Sequence, residues 1–340
     1  MKLRINKAGS VTVNVNLEEI EEVTDEVIAE RGNVCIVRAL EEKRVYENLE
    51  LTTGRMAKIS RGDIIAGALG ERRALKGFVG NIPNEIQRGD RLHILNLGGV
   101  MGNAVSYSMD YGPPLKVELL GMVLRDGKIL NVKDCAKPLG EKLKSDIPIV
   151  VVSGSSMNSG KTVVASKLIQ ELTWKGYRVC AGKVTGISAL KDPLNMKDHG
   201  AIEALTFLDF GFPSTVNISN IPGIAWGMIR EFSGYKPDLI VFELGDGFFG
   251  DYGVDKFFED GELIKGVKCH ISCAFDQVGA WGLKKIMEER NIPLHLISGP
   301  VTDNVVGTDF IRNKLGLEGI NAIYERDKLG RQVVEMIEKR

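Results

Sequence analysis

The sequence predicts an α/β protein: a C-terminal phosphate-loop domain with a mostly parallel sheet flanked by helices, preceded by a smaller β-rich α+β domain. Three observations carry this. From Ile147 onward, short apolar runs alternate with helical spacing, the pattern of strands covered by helices on both faces. The first of those runs leads into Gly154-Ser-Ser-Met-Asn-Ser-Gly-Lys-Thr162 and then a helical pattern. From Met1 to about Lys144 the segments are short and β-like. The boundaries that follow are 1–144 for a domain with no catalytic signature and 145–340 for a nucleotide-binding domain.

Composition bounds the function. The 340 residues are 26% charged and 44% hydrophobic, with 44 Lys and Arg against 45 Asp and Glu, enough chain and balance for two ordinary cores. A net charge of -1 argues against a general nucleic-acid partner. Apolar runs such as 147–152 stop far short of the roughly 20 residues that span a bilayer. The basic start, Met1 to Lys7, has no apolar core of about 7 to 15 residues behind it, so no secretory signal is expected. A cytoplasmic protein without a membrane partner is the expectation. Five scattered cysteines fit reduced thiols. Cys269 and Cys273 flank His270 in a strand-like run, about 13 Å apart, too far to share one metal.

In chain order, Leu3–Asn6 and Val11–Asn16 read as strands, and 17–31 as an amphipathic helix on Ile20, Val23, Val27 and Ile28, ended by Gly32. Strands are expected near 34–40, 46–51, 63–69, 75–79, 91–97 and 115–124, the spacing of a small barrel or sandwich. Ile59-Ser-Arg-Gly-Asp-Ile64 recurs as Ile86-Gln-Arg-Gly-Asp-Arg91, a repeated Gly-Asp corner launching a strand rather than an adhesion motif. Gly98-Gly-Val-Met-Gly102 reads as a hairpin corner, and 132–146, rich in lysine, as a linker. Beyond it, strands are expected at 147–152, 178–182, 239–243, 267–275 and 294–297. Helices are expected on Val164, Leu168 and Leu172, on Ile202, Leu205 and Leu208, on Val278, Trp281 and Met287, and on Leu329, Val333 and Ile337. Ligands of such sheets bind at the carboxyl ends of the strands.

The physics of the loop is specific. Backbone N–H groups at a helix start wrap a phosphate, the lysine reaches further phosphate oxygens, and the next hydroxyl serves Mg²⁺. Gly154, Ser155, Ser156, Met157, Asn158, Ser159, Gly160, Lys161, Thr162 and Val163 are thus the expected nucleotide contacts. Five residues separate Gly154 from Gly160, where the common spacing is four.

This five-residue spacing resembles the phosphate loop of dethiobiotin synthetase and of the cobyrinic and cobyric acid amide synthetases. Lys183-Val-Thr-Gly186 is similar to that family's Lys-Pro-Val stretch, without the proline. Asp198-His-Gly-Ala201 is similar to a helix opening with a magnesium-binding Asp, and Leu239 to Gly247 to the apolar strand whose Glu serves the metal. The resemblance begins at Ile147 and leaves out the first domain. It implies ATP and Mg²⁺ as cofactors, Thr162, Asp198 and Glu243 at the metal, and Lys161, Lys183 and Glu243 in catalysis. Asp246, Thr185 and Asp276 are weaker candidates, and Ser298–Asn304 lies where related proteins contact the base. No Asn-Lys-x-Asp element supports guanine, so ATP is the default.

The expected function is an ATP- and Mg²⁺-dependent enzyme that activates a small carboxylate or carbamate by phosphoryl transfer. Two alternatives stay open: a switch or assembly ATPase acting on a protein partner, and an acyltransferase whose loop holds acyl-coenzyme A. The first domain caps the phosphate edge, binds the second substrate or builds a homodimer.

Overall fold

The structure is a computed structural model that describes every residue except 144, 339 and 340. Residue 144, inside the expected linker and at the expected domain boundary, lies outside the described residues. The chain divides into two units. One holds Met1–Pro138 with Ile187–Lys191 and Phe207–Val216; the other holds Leu139–Gly186, Asp192–Thr206 and the chain from Asn217 onward.

The first unit is a small barrel. Lys116–Arg125 pairs with Val34–Ala39, which pairs with Ile64–Leu69. That strand lies parallel to Val100–Tyr107, and Arg91–Ile94 closes the circuit by pairing with both Val100–Tyr107 and Lys116–Arg125. Side chains alternate between two buried clusters: Val34 and Ile36 join one, Cys35 and Val37 the other. A strand buried on both faces needs such unbroken apolar runs. The Gly-Asp echo is one corner used twice. Gly62 and Gly89 have φ of 92° and 91°, Asp63 accepts the Ser60 N–H at 2.6 Å, and Asp90 accepts the Gln87 N–H at 2.9 Å.

Several expected elements differ. Residues 17–31 form no helix; Ile20–Thr24 is a strand, antiparallel to Lys2–Arg4 and to Lys116–Arg125. Its inward positions are Glu21 and Val23, and Glu21 is accepted inside because Arg125 reaches it at 3.3 Å. An inward acid defeats a helical reading that sends every acid outward. Val11–Asn16 is not a strand but the 3₁₀ turn Ser10–Val15, which buries Val11 and Val15. Gly98–Gly102 is not merely a corner, since Val100 starts a strand that runs to Tyr107.

The second unit carries a seven-stranded parallel sheet in the order Glu203–Thr206, Val179–Thr185, Leu239–Leu244, Ile149–Gly154, Val267–Cys273, Leu296–Ser298, Glu318–Gly319. One face packs Val150, Val152, Val241 and Ile271 against Leu168 and Leu172 of the helix Lys161–Trp174 and Leu329 and Val333 of the helix Arg326–Glu338. The other face holds Phe242, edge-on to Phe257 at 6.1 Å, and the helix Ile221–Ser233, whose Met228 lies against Gly182. The helix expected on Ile202, Leu205 and Leu208 is instead the edge strand Glu203–Thr206 and a 3₁₀ turn, Phe207–Phe210. Gly200, at φ 103°, ends the preceding helix, Lys191–Asp198. Asp198 therefore closes a helix rather than opening one. Among the described residues no helix is long and apolar enough to cross a membrane.

Beneath the sheet's centre lies a buried polar chain. His270 Nδ1 donates to Pro293 O at 2.7 Å, which leaves Nε2 to accept from Ser153 Oγ at 2.7 Å, and Ser272 Oγ lies 3.0 Å from Ser153 Oγ. Burial pulls His270 from 6.5 down to about 4. In that window the unfolded chain binds a proton that the folded chain does not, so stability is full above pH 6.5 and falls as pH drops toward 4. We expect His270 to account for about 2 kcal/mol of lost stability between pH 6.5 and 5. Urea titrations should show a shallower pH slope in His270→Asn; an unchanged slope would refute the assignment.

Candidate functional site

The strand Ile149–Gly154 ends between two parallel neighbours, and the chain then turns through 155–160 into the helix Lys161–Trp174. The loop is held from three sides. Ser155 N–H donates to Cys273 O at 2.9 Å, and Phe248 N–H donates to Gly154 O at 3.1 Å. Gly247 presses on the loop so closely that a Cβ there would sit 2.3 Å from Ser155 O. Gly299, at φ 88°, would place a Cβ 2.3 Å from Ser159 O. Only glycine fits such approaches.

The helix start is open to an anion. Gly160 supplies no side-chain cap and the first turn carries no acid, so its leading N–H groups, which lack partners within the helix, are left to a ligand. Lys161 is buried and its ammonium arches over the loop, donating to Ser156 O at 2.7 Å. Burial pulls the ammonium's pKa down, against the pull of Glu243 and Asp246.

Lys183 and Glu243, paired on adjacent strands, come together with Thr162 in the first turn of the helix Lys161–Trp174. Thr162 Oγ1 donates to Glu243 Oε1 at 2.8 Å, and Lys183 Nζ lies 3.8 Å from the same oxygen. Glu243 is 1% exposed, and its Oε2 has no hydrogen-bond partner among the described residues. Such an orphaned carboxylate oxygen is costly unless something meets it. The fourth member is Asp192, which the sequence reading missed; its Oδ2 receives Lys183 Nζ at 2.6 Å. Burial alone would lower Lys183, but the charges and hydrogen bonds of Asp192 and Glu243 override it and hold the ammonium above its ordinary range. Asp192 had no motif to mark it; the one available signal was an acid in the first turn of the helix after Lys183.

Other expected residues fall elsewhere. Asp198 is exposed at the far end of the Lys191–Asp198 helix, roughly 9 Å of helical rise beyond Asp192. The Val163 side chain is 44% exposed, and what this residue offers a phosphate is its backbone N–H in the first turn of the helix. Thr185 Oγ1 donates to Gly245 O at 2.9 Å, and Asp276 caps its helix by accepting the Gly279 N–H at 2.7 Å; both serve the backbone. Asp246, at φ 73°, is half-buried, and burial raises its pKa. Cys269 and Cys273 are buried, their thiols pushed up to about 12 by burial.

An oxygen donor set of one hydroxyl and one carboxylate with a spare buried lone pair fits a hard divalent cation such as Mg²⁺. Among the described residues no three His, Cys, Asp or Glu side chains form a metal cage. Mg²⁺ needs none where phosphates and waters complete its shell.

No protein-family model matches the chain, and no curated protein matches it. Solved structures give distant likenesses. Cell division protein ftsY from Thermotoga maritima is 15% identical with a TM-score of 0.39, over 60% of this chain and 71% of that one. Hydrogenase maturation factor HypB from Archaeoglobus fulgidus is 10% identical with a TM-score of 0.35, over 57% and 91%. The signal recognition particle 54 kDa protein from Aeropyrum pernix, solved with GDP, is 15% identical with a TM-score of 0.37, over 61% and 53%. At these scores the likeness fixes neither family nor activity.

Two expectations follow. Gly299→Ala forces the loop to shift and should lower stability by about 1–3 kcal/mol, read from urea denaturation; a loss below about 0.5 kcal/mol would contradict the close approach. Asp192→Asn, which leaves Lys183 with Glu243 alone, should cost about 2 kcal/mol by the same assay, and a neutral result would show that the pair is not structural.

Proposed function

We propose that the second unit binds a Mg²⁺–nucleoside triphosphate, taken as ATP, along Gly154–Val163 and transfers its γ-phosphoryl group to a small carboxylate or carbamate, as the resemblance to dethiobiotin synthetase implies. The observation that carries the reading is the Thr162–Glu243 contact with the orphaned Glu243 Oε2, set beside a loop whose helix start is uncapped.

Phosphoryl transfer asks the protein mainly for positioning and neutralised charge. The leading N–H groups of the Lys161–Trp174 helix hold phosphate oxygens, and Lys161 leaves Ser156 O to meet the β and γ phosphates. Thr162 and Glu243 are the protein's ligands to Mg²⁺, which when bound screens the charge on the phosphates. Lys183 faces the transferring group, its charge kept in place by Asp192. Asp198 stands outside this arrangement.

A second reading, a nucleotide-driven switch that docks a protein partner, is favoured by a separate observation. Phe249 and Phe275 follow the strands Leu239–Leu244 and Val267–Cys273, Val278 and Trp281 lie one turn apart at the start of the helix Gln277–Glu289, and the four are 77%, 64%, 77% and 51% exposed; exposed apolar side chains of this kind suit a protein partner.

Titration calorimetry with ATP, GTP and acetyl-coenzyme A, each with and without Mg²⁺, tests the reading. Magnesium-dependent ATP binding should weaken at least about tenfold in Lys161→Ala, or about 1.4 kcal/mol, and less than about twofold in Asp198→Ala. Binding of acetyl-coenzyme A with no response to either nucleotide would overturn it in favour of acyl transfer. Nucleotide binding with no turnover on any small acid would favour the switch.

A further inference from the structure

Asp192 can hold Lys183 only if the helix that carries it keeps its rotation about its own axis. Along the helix Lys191–Asp198, Asp192, Asn195 and Met196 stand three and four residues apart and so share one face. Met196 is buried in the sheet's apolar core. Just past the helix end, Gly200 packs so closely on the helix Lys161–Trp174 that a Cβ there would lie 2.8 Å from Thr173 Cγ2. These contacts seat the helix, but apolar packing is non-directional, and the rotation that turns Asp192 to Lys183 needs a polar tie. One turn from Asp192, Asn195 Nδ2 donates to Ser166 Oγ at 2.6 Å. Ser166 is 4% exposed, sits one turn after Thr162 and gives its own proton to Thr162 O, so its hydroxyl has only lone pairs left for Asn195. The contacts close a ring. Thr162 Oγ1 donates to Glu243 Oε1, which Lys183 Nζ approaches at 3.8 Å; Lys183 reaches Asp192 at 2.6 Å; three residues on, Asn195 binds Ser166, and Ser166 returns to Thr162. Within that ring, Asn195 to Ser166 is the one link between two uncharged side chains, and it can be removed without stranding a charge.

We infer that Asn195 is a positioning residue for Lys183. Tied to Ser166, it fixes the helix Lys191–Asp198 against the helix that follows the phosphate loop, and Asp192 then holds the Lys183 ammonium at the strand edge, facing the transferring phosphoryl group. The inference rests on the phosphoryl-transfer reading above. Asn195 itself touches neither nucleotide nor acceptor; its effect passes through Asp192. Without its amide the helix stays seated through Met196 and Gly200, its rotation loosens, and the ammonium loses a fixed partner. What is lost is the placement of Lys183, not the nucleotide site.

The test reads binding to the full chain by titration calorimetry, with Mg²⁺–ADP alone and with Mg²⁺–ADP plus fluoroaluminate, an anion that takes the place of the transferring phosphoryl group. Fluoroaluminate should tighten Mg²⁺–ADP binding to the wild type. Asn195→Ala should cut that gain about fivefold, the worth of one neutral hydrogen bond, and leave the affinity for Mg²⁺–ADP alone within about twofold. Added to Asp192→Asn, it should change the gain by less than about twofold, because the path is already broken there. Should Asn195→Ala not fold, Ser166→Ala removes the same hydrogen bond and is read in its place. A gain that survives intact in Asn195→Ala and in Ser166→Ala overturns the inference. So does a loss that falls equally on Mg²⁺–ADP alone, or that adds in full to Asp192→Asn, since either describes a general loosening. A wild-type protein that binds Mg²⁺–ADP but gains nothing from fluoroaluminate removes Lys183 from the transferring group, and the inference with it, and leaves the nucleotide site standing. A wild-type protein that binds no nucleotide brings down the phosphoryl-transfer reading itself.

Discussion

The register of three parallel strands decides where the chemistry of the second unit can be. Val152 pairs with Glu243, and Glu243 pairs in turn with Lys183. That alignment sets an acid and a base side by side at the carboxyl edge, two residues before the strand Ile149–Gly154 gives way to its loop. Slipping the strand Leu239–Leu244 by one residue would turn Glu243 to the opposite face, and its contacts with Thr162 and Lys183 would be lost. The apolar runs that fix the register, such as Ile149–Val152 and Leu239–Phe242, are buried on both faces. The same burial that stabilises the sheet therefore aims its polar strand ends.

Burial also makes the site's charges interdependent. Lys183 is sheltered between Asp192 and Glu243, and breaking a pair of that kind leaves an uncompensated charge in a poorly solvated place. Glu243 spends one oxygen on Thr162 and holds the other without a hydrogen-bond partner among the described residues. Among the described residues Lys161 has only loop oxygens as hydrogen-bond partners, Ser156 O and Ser159 Oγ. Lys161 and Glu243 each carry an unmet or replaceable interaction at the same strand edge. A polyanion with a divalent cation would answer both at once, with phosphate oxygens for Lys161 and the cation for Glu243.

How much of this was legible follows from the range of the interactions involved. The loop, Lys161, Thr162 and the strand ending in Glu243 were readable because glycine, lysine and threonine at a strand-to-helix junction, and an acid closing an apolar run, are local patterns. The Gly62 and Gly89 corners were readable for the same reason. Glu21 was misread because its partner, Arg125, is far along the chain. The strand Glu203–Thr206 was misread because its pairing with Val179–Thr185, not its own spacing, makes it a strand. Asp192 offered only the weak signal of an acid opening a helix, and the close approaches of Gly247 and Gly299 depend on the folded sheet edge, where nothing in the one-dimensional pattern separates them from ordinary loop glycines.

The central claim is that Glu243, with Thr162, holds the magnesium that accompanies a nucleotide in this loop. The direct measurement is the ratio of ATP affinities with and without Mg²⁺ in the wild type and in Glu243→Gln, which keeps the shape and the Thr162 contact but removes the charge. The account predicts that Mg²⁺ strengthens ATP binding to the wild type and that the substitution cuts this enhancement at least about tenfold, with magnesium-free binding nearly unchanged. An enhancement that survives intact in Glu243→Gln would contradict it.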